Sequence, residues 1–289
     1  MNAEFAKNAE NPSEIFTRRS SRARRSSWGQ YCFCGYAPLG RLRGDRRTAV
    51  IDVSKSPQKI AGMFDAIAER YDFLNHFLSA GIDKRWRQRA IESLQLTGTE
   101  TLIDVCTGTG DVAIAALTHS PAARRVIGVD FAGAMLGVGA AKMRRLRLDG
   151  RVTLVRGDAT SLPATDRSAD AVTVAFGIRN VQDISTACRE MHRVLVPGGR
   201  LAVLEFAVPT MPGFRTLYQW YVTHILPRLG RAISRHPGAY GYLPASISAF
   251  ERPDEFVKIL RHAGFDDIRA VPLMLGSVIL YTAVAARCS

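Results

Sequence analysis

Three carboxylates and a glycine loop carry the first chemical signal in this sequence. Asp104 lies four residues before Gly108. Thr109 and Gly110 complete a Gly-x-Gly, Asp130 follows twenty residues past Gly110, and Asp158 sits in Gly157-Asp158-Ala159. Carboxylates at such spacing accept hydrogen bonds from the hydroxyls of a ribose or from a ligand ammonium group. Glycines let the backbone approach a ligand, and a helix starting at the loop offers unpaired N–H groups. The third glycine of the dinucleotide spacing would fall at Ala113. Alanine is allowed there, so the loop alone leaves several nucleotides open.

Elements must hold these residues in place. TLIDV, from Thr101, is apolar and partly β-branched and predicts a buried strand; AIAAL, beyond Gly110, predicts a helix. RRVIGVD predicts a second strand ending in Asp130, and a helix follows over Gly133–Leu148 with Lys142, Arg144, Arg145 and Arg147 on a solvated face. RVTLVRGDA and DAVTVAFGIRN predict strands three and four. A helix over Ile184–Leu195 ends at Pro197-Gly198-Gly199, and RLAVLEF is strand five. Alternation of this kind implies a parallel sheet with the ligand at the strand C-termini.

Upstream, Ile60, Met63, Phe64, Ile67 and Tyr71 recur at helical spacing, so two helices flank a turn at Ser79–Gly81, with Phe73 and Phe77 as core. Downstream, residues 209–253 break the alternation with aromatic, Pro and Gly residues, and predict a helical insertion lying over the sheet edge. A last helix spans Glu255–Ala263, and β-rich runs flank Gly276. This gives seven strands in an α/β fold, mostly parallel.

The chain has 289 residues and a formal net charge of +13. Residues 1–50 hold ten basic and four acidic residues, nearly half of that excess, so charge says little about the body's substrate. RRSSRARRSS has no apolar periodicity, and residues 1–55 are expected to be a disordered basic extension beside a domain over 56–289. The five cysteines form no framework and suggest reduced thiols in a cytoplasmic protein. Cys106 reads as packing. No apolar run reaches the ~18 residues of a membrane span. None of the six histidines forms an i,i+4 pair, so no metal is expected.

Asp104 before the loop suits the ammonium group that S-adenosylmethionine has and NAD lacks. Gly157-Asp158-Ala159 suits an adenine ring. With the run at 193–201 that enters strand five, the layout resembles the Rossmann-like class I S-adenosylmethionine methyltransferases. More closely, the chain resembles the quinone-biosynthesis C-methyltransferases. The resemblance rests on M-F-D-x-I-A-x-R-Y-D-x-x-N (63–75), G-D-A-x-x-L-P (157–163), F-G-I-R-N-V (176–181), L-E-F (204–206), L-P-x-x-G (226–230) and Y-x-Y-L-x-x-S-I-x-x-F (240–250), within about residues 57–270. Two departures are Cys106-Thr107 before the glycines and a tail lacking the family's G-G…H-x-G ending.

The resemblance implies a seven-stranded sheet with helices on both faces, an N-terminal helical lid, and C-methylation of a prenylated hydroquinone. Demethylmenaquinol is the expected acceptor; the ubiquinone-pathway ring and another small molecule are the alternatives. It implies cofactor contacts from Asp104, Gly108, Thr109, Gly110, Asp130, Met135, Asp158 and Ala159. Arg179 and Asn180 would face the substrate oxygen beside the methyl; Tyr71 and Asp72 would join them, and Tyr242 and Phe176 would wall the substrate. It implies peripheral contact with a membrane surface through the prenyl tail, and leaves monomer and homodimer both open. A nucleic-acid base methyltransferase would typically carry an [Asn/Asp/Ser]-Pro-Pro-aromatic run after strand four; Gly-Ile-Arg-Asn stands there instead, so no nucleic acid is expected. As bare residues, Asp158 also reads as a turn, Arg179 as half of an ion pair, and Tyr240, Tyr242 and Phe250 as core.

Overall fold

The strand predicted at Thr101–Val105 forms as β1 and is buried along its whole length. The computed structural model describes residues 56–225 and 237–286. The expected extension, 1–55, and the 226–230 motif lie outside the described residues.

Ser56 caps helix α1 (Pro57–Leu78) by accepting a bond from the Lys59 amide, with Pro57 preset for the first helical position. A turn through Gly81, at φ 76°, leads into α2 (Ile82–Ser93). From β1 the chain runs through α3 (Asp111–Thr118), β2 (Arg125–Asp130), α4 (Gly133–Arg145), β3 (Val152–Arg156), β4 (Ala169–Ala175), α5 (Ile184–Val194) and β5 (Leu195–Phe206). It ends with α6 (Pro212–Trp220), α7 (Pro237–Ser248), α8 (Pro253–His262), β6 (Phe265–Leu273) and β7 (Val278–Ala285). The sheet order is β3-β2-β1-β4-β5-β7-β6. The first five strands are parallel, and β7 and β6 complete the sheet antiparallel.

The chain winds outward from β1 to β3, then crosses back to β4. The switch point therefore lies between β1 and β4, where loops after neighbouring strands diverge and open a crevice. Helices cover both sheet faces. One core gathers Val172, Met191, Leu201 and Phe256; the other gathers Ile91, Leu102, Ala116 and Met143.

Two expectations are corrected. Pro197-Gly198-Gly199 does not lie between helix and strand, because β5 begins at Leu195 and absorbs it. Ala169 pairs with Leu195 and Ala171 with Arg200, so the run bulges out within the strand, with Gly198 at φ 80°. Phe73 and Phe77 are not core; they stack on each other, 60% and 51% exposed. Within the insertion, Phe214, Leu217 and Trp220 line an apolar cavity together with Phe176, just past β4, and Phe206, the last residue of β5.

Candidate functional site: two cavities with a shared wall

The loop after β1 turns back on itself three times. Cys106, Gly108 and Gly110 all have positive φ, at 55°, 56° and 80°. Asp130, at the end of β2, fixes this shape. Its Oδ2 accepts the Gly108 amide at 2.7 Å and its Oδ1 accepts the Ala132 amide at 2.8 Å. Burial raises the Asp130 pKa, and those two amide bonds oppose the rise.

A cavity of about 390 Å³ opens here. Gly108, Asp130, Met135, Asp158 and Ala159 lie on its wall. Asp158 turns Oδ1 to the amide and hydroxyl of Thr160, both at 2.8 Å. Its Oδ2 has no hydrogen bond among the described residues. A Cβ added at Gly108 would meet only the Met135 Cε, at 3.4 Å, so the backbone lies open to the cavity. Carboxylates on the rim and small or thioether groups on the floor suit a nucleoside: hydroxyls at the acids, a flat base against Ala159 and Met135.

A second, more apolar cavity of about 540 Å³ lies alongside. Phe64, Tyr71 and Phe176 line both cavities and form their shared wall. Phe176 stands between Trp86 and Phe206, with ring centroids 6.1 and 4.5 Å apart. The turn after β4 serves the two spaces with consecutive residues: Asn180 lines the first and Arg179 the second. Tyr242, 6% exposed and on the second wall, donates its hydroxyl to the Asn180 Oδ1 at 3.1 Å. Burial raises the pKa values of Tyr71 and Tyr242, so both keep their protons near neutral pH.

Arg179 is 5% exposed. Its Nη1 donates to the Phe176 carbonyl and, at 2.8 Å, to Glu205 Oε1, while its ring-facing side lies over Phe206 at 5.4 Å. Tyr71, Phe176, Arg179, Asn180 and Tyr242 are thus brought together with the cofactor residues just named.

Four expected residues lie elsewhere. Asp104 lines neither cavity; it is 1% exposed, and Thr107 and Thr173 donate to its two oxygens at 2.5 and 2.8 Å. Burial pushes its carboxyl up to about 7. Thr109 donates to Asp72 Oδ1 at 2.5 Å, and Asp72 Oδ2 pairs with Lys142 at 2.7 Å. Both therefore hold α1 to the body behind the cavity wall. Gly110 is the residue just before α3 and packs under Met143, whose Cε would clash with an added Cβ. Lys142, read as solvated, is half-buried and also pairs with Asp111.

His76, Asp83 and Asp111 also converge, which histidine spacing along one helix could not reveal. The Arg87 guanidinium already sits 2.8 and 3.2 Å from the two carboxylates and supplies the opposing charge. Burial would raise the Asp83 pKa, but Ser79, Arg87 and His76 together hold it below the ordinary value. The sequence reading assigned no role to Trp86, Phe206 or Glu205. The last two stand in the L-E-F run (204–206), which helped carry the family resemblance with no role given to either side chain.

Known proteins provide the remaining comparison. The sequence model of the ubiE/COQ5 methyltransferase family matches residues 52–285. A relative from Geobacter sp. strain M21, named ubiquinone/menaquinone biosynthesis C-methyltransferase UbiE, is 42% identical over 229 residues, covering 79% of this chain and 97% of its own. A demethylmenaquinone methyltransferase of Porphyromonas gingivalis is 41% identical over 208 residues, 72% of this chain and 85% of its own. Among solved structures, the cyclase SpnF superposes with a TM-score of 0.58 at 19% identity, covering 81% of this chain and 98% of its own. The Haemonchus contortus phosphoethanolamine N-methyltransferase 2, bound to S-adenosylhomocysteine, gives 0.53 at 18%, covering 70% and 52%. These structures share the fold, and a cyclase among them shows that the fold leaves the reaction open.

Proposed function

The chain belongs to the ubiE/COQ5 methyltransferase family, and from that premise we propose that it methylates a ring carbon of demethylmenaquinol, giving menaquinol. It is an S-adenosylmethionine-dependent C-methyltransferase of quinone biosynthesis. One observation carries the choice of sites: a nucleoside-sized cavity rimmed by carboxylates and an apolar cavity share a wall of Phe64, Tyr71 and Phe176.

S-adenosylmethionine supplies a methyl group on a sulfonium, which an electron-rich carbon can attack. Asp130 and Asp158 would take the ribose and adenine ends, with Met135 and Ala159 beneath the base. Trp86, Phe176 and Phe206 present tilted aromatic faces to a flat fused ring, which favours in-line placement of its carbon. A hydroquinone carbon gains nucleophilicity as its phenolic proton leaves. Arg179 offers a fixed cation to the oxygen that develops charge, and the apolar walls strengthen that attraction by excluding water. Asn180, oriented by Tyr242, reaches the junction from the other cavity.

The tail of such an acceptor needs an apolar exit. Leu217, Trp220 and Met274 line the second cavity and are each about half exposed or more, as is Leu275, next to Met274 in the chain. We propose that this rim rests on a lipid surface. Among the described residues no helix is long and apolar enough to cross a membrane. Offering the enzyme demethylmenaquinol and the ubiquinone-pathway hydroquinone in competition tests the acceptor. A preference for the fused ring is expected; preference for the single ring would replace this reading.

A further inference from the structure

We infer that Glu205 is the positioning residue for Arg179, on the premise that Arg179 faces the acceptor oxygen as proposed above. Glu205 stands one residue from the end of β5, between Leu204 and Phe206, and is 0% exposed. It lines neither cavity. An apolar residue would suit that strand position better, since burying a carboxylate is costly unless it is fully paired.

Here the pairing converges on one residue. Oε1 accepts Arg179 Nη1 at 2.8 Å, and Oε2 accepts the backbone amide of Arg179 at 3.2 Å. The Phe206 amide also donates to Oε1, at 2.8 Å. A single carboxylate therefore fixes both the turn that carries Arg179 and the head of its side chain. The Phe206 ring supports the guanidinium face, and the Ser246 hydroxyl accepts Nε at 3.4 Å. With Nε and Nη1 engaged, Nη2 is the guanidinium nitrogen without a hydrogen bond among the described residues. Three donors already occupy Glu205, so it is not placed to take a proton from the acceptor. Its role is to hold Nη2 toward the second cavity and to balance a buried charge.

The test is steady-state kinetics of the full-length chain with S-adenosylmethionine and demethylmenaquinol, beside cofactor titration calorimetry. Glu205→Gln keeps the shape but turns an amide NH₂ toward groups that are themselves donors. We expect kcat to fall about 100-fold, the scale of losing one oriented donor. Cofactor Kd and acceptor KM should stay within about 3-fold, the signature of an interaction felt only in the transition state. In a background of Arg179→Met, adding Glu205→Gln should change kcat by less than about 3-fold, because its effect runs through the arginine.

Full kcat in Glu205→Gln would overturn the inference. So would a further large loss on adding it to Arg179→Met, which marks a general structural role. If Glu205→Gln does not fold, the double variant still decides, since it leaves no unpaired charge. Absence of wild-type turnover would overturn the acceptor reading and this inference with it. Wild-type turnover with an indifferent Glu205→Gln overturns the inference alone.

Discussion

Asp130 commits each carboxylate oxygen to a loop amide, so it shapes the cofactor loop as well as lining it. Asp130→Ala should weaken S-adenosylmethionine binding by about 1–3 kcal/mol, the range for hydrogen bonds to a charged group. Titration calorimetry reads this directly, and unchanged affinity would place the ligand elsewhere. Arg179→Ala should keep that affinity and lower turnover about 10²- to 10³-fold. It should also lower the melting temperature, because it leaves Glu205 buried without its partner. Asp104 gives a pH signature. Its carboxyl lies near 7 in the folded protein and near 4 in an unfolded chain. Between those values the folded state holds a proton that the unfolded state has released. The associated stability is therefore present below about pH 4 and is lost as pH rises through about 7. Melting temperatures of wild type and Asp104→Asn from pH 5 to 7.5 should move in favour of the variant as pH rises. The sequence spacing located Asp104 beside the loop. It could not show which way the side chain turns, because Thr173, one of its two partners, lies 69 residues away on β4.

The loop after β1 and the turn after β4 interlock. A Cβ on Gly177 would stand 2.3 Å from the Cβ of Cys106, closer than any contact allows. Gly177→Ala must push the turn bearing Arg179 and Asn180 away from the loop. The expected cost is about 1–3 kcal/mol of stability, typical of overpacking, measured by denaturant unfolding. Cys106→Gly should restore both stability and turnover, since it removes the clash and suits the φ of 55° at that position. Failure of the rescue would mean that the two segments do not set one another. Strands β1 to β4 and helices α3 to α5 were legible because periodicity and glycine turns agree there. The bulge at Pro197–Gly199 was not, because the same residues that stop a helix can be absorbed by a strand paired to β4. Phe73 and Phe77 sit on a helix with apolar residues on more than one face, and helical spacing alone does not say which face is covered.

At the scale of the molecule, a sheet with its switch point between β1 and β4 opens a crevice, and α1 and α6 close it into two cavities. The alternation predicted the sheet, and the tail around Gly276 predicted its antiparallel end. The division of the crevice was hidden, because it depends on Phe64 and Tyr71 from α1 sharing a wall with Phe176 from the turn after β4. The exposed apolar rim predicts co-sedimentation with anionic phospholipid vesicles. Replacing Trp220 and Leu217 by serine should weaken it severalfold while sparing turnover of a short-tailed acceptor; equal sedimentation of both proteins would contradict docking there. The most direct measurement is methyl transfer itself. The purified chain is incubated with methyl-labelled S-adenosylmethionine and chemically reduced demethylmenaquinone, and the lipid extract is examined. Label on the quinone ring carbon, dependent on the reduced acceptor, is the expected result. An unlabelled lipid fraction, from folded protein that binds the cofactor, would contradict it.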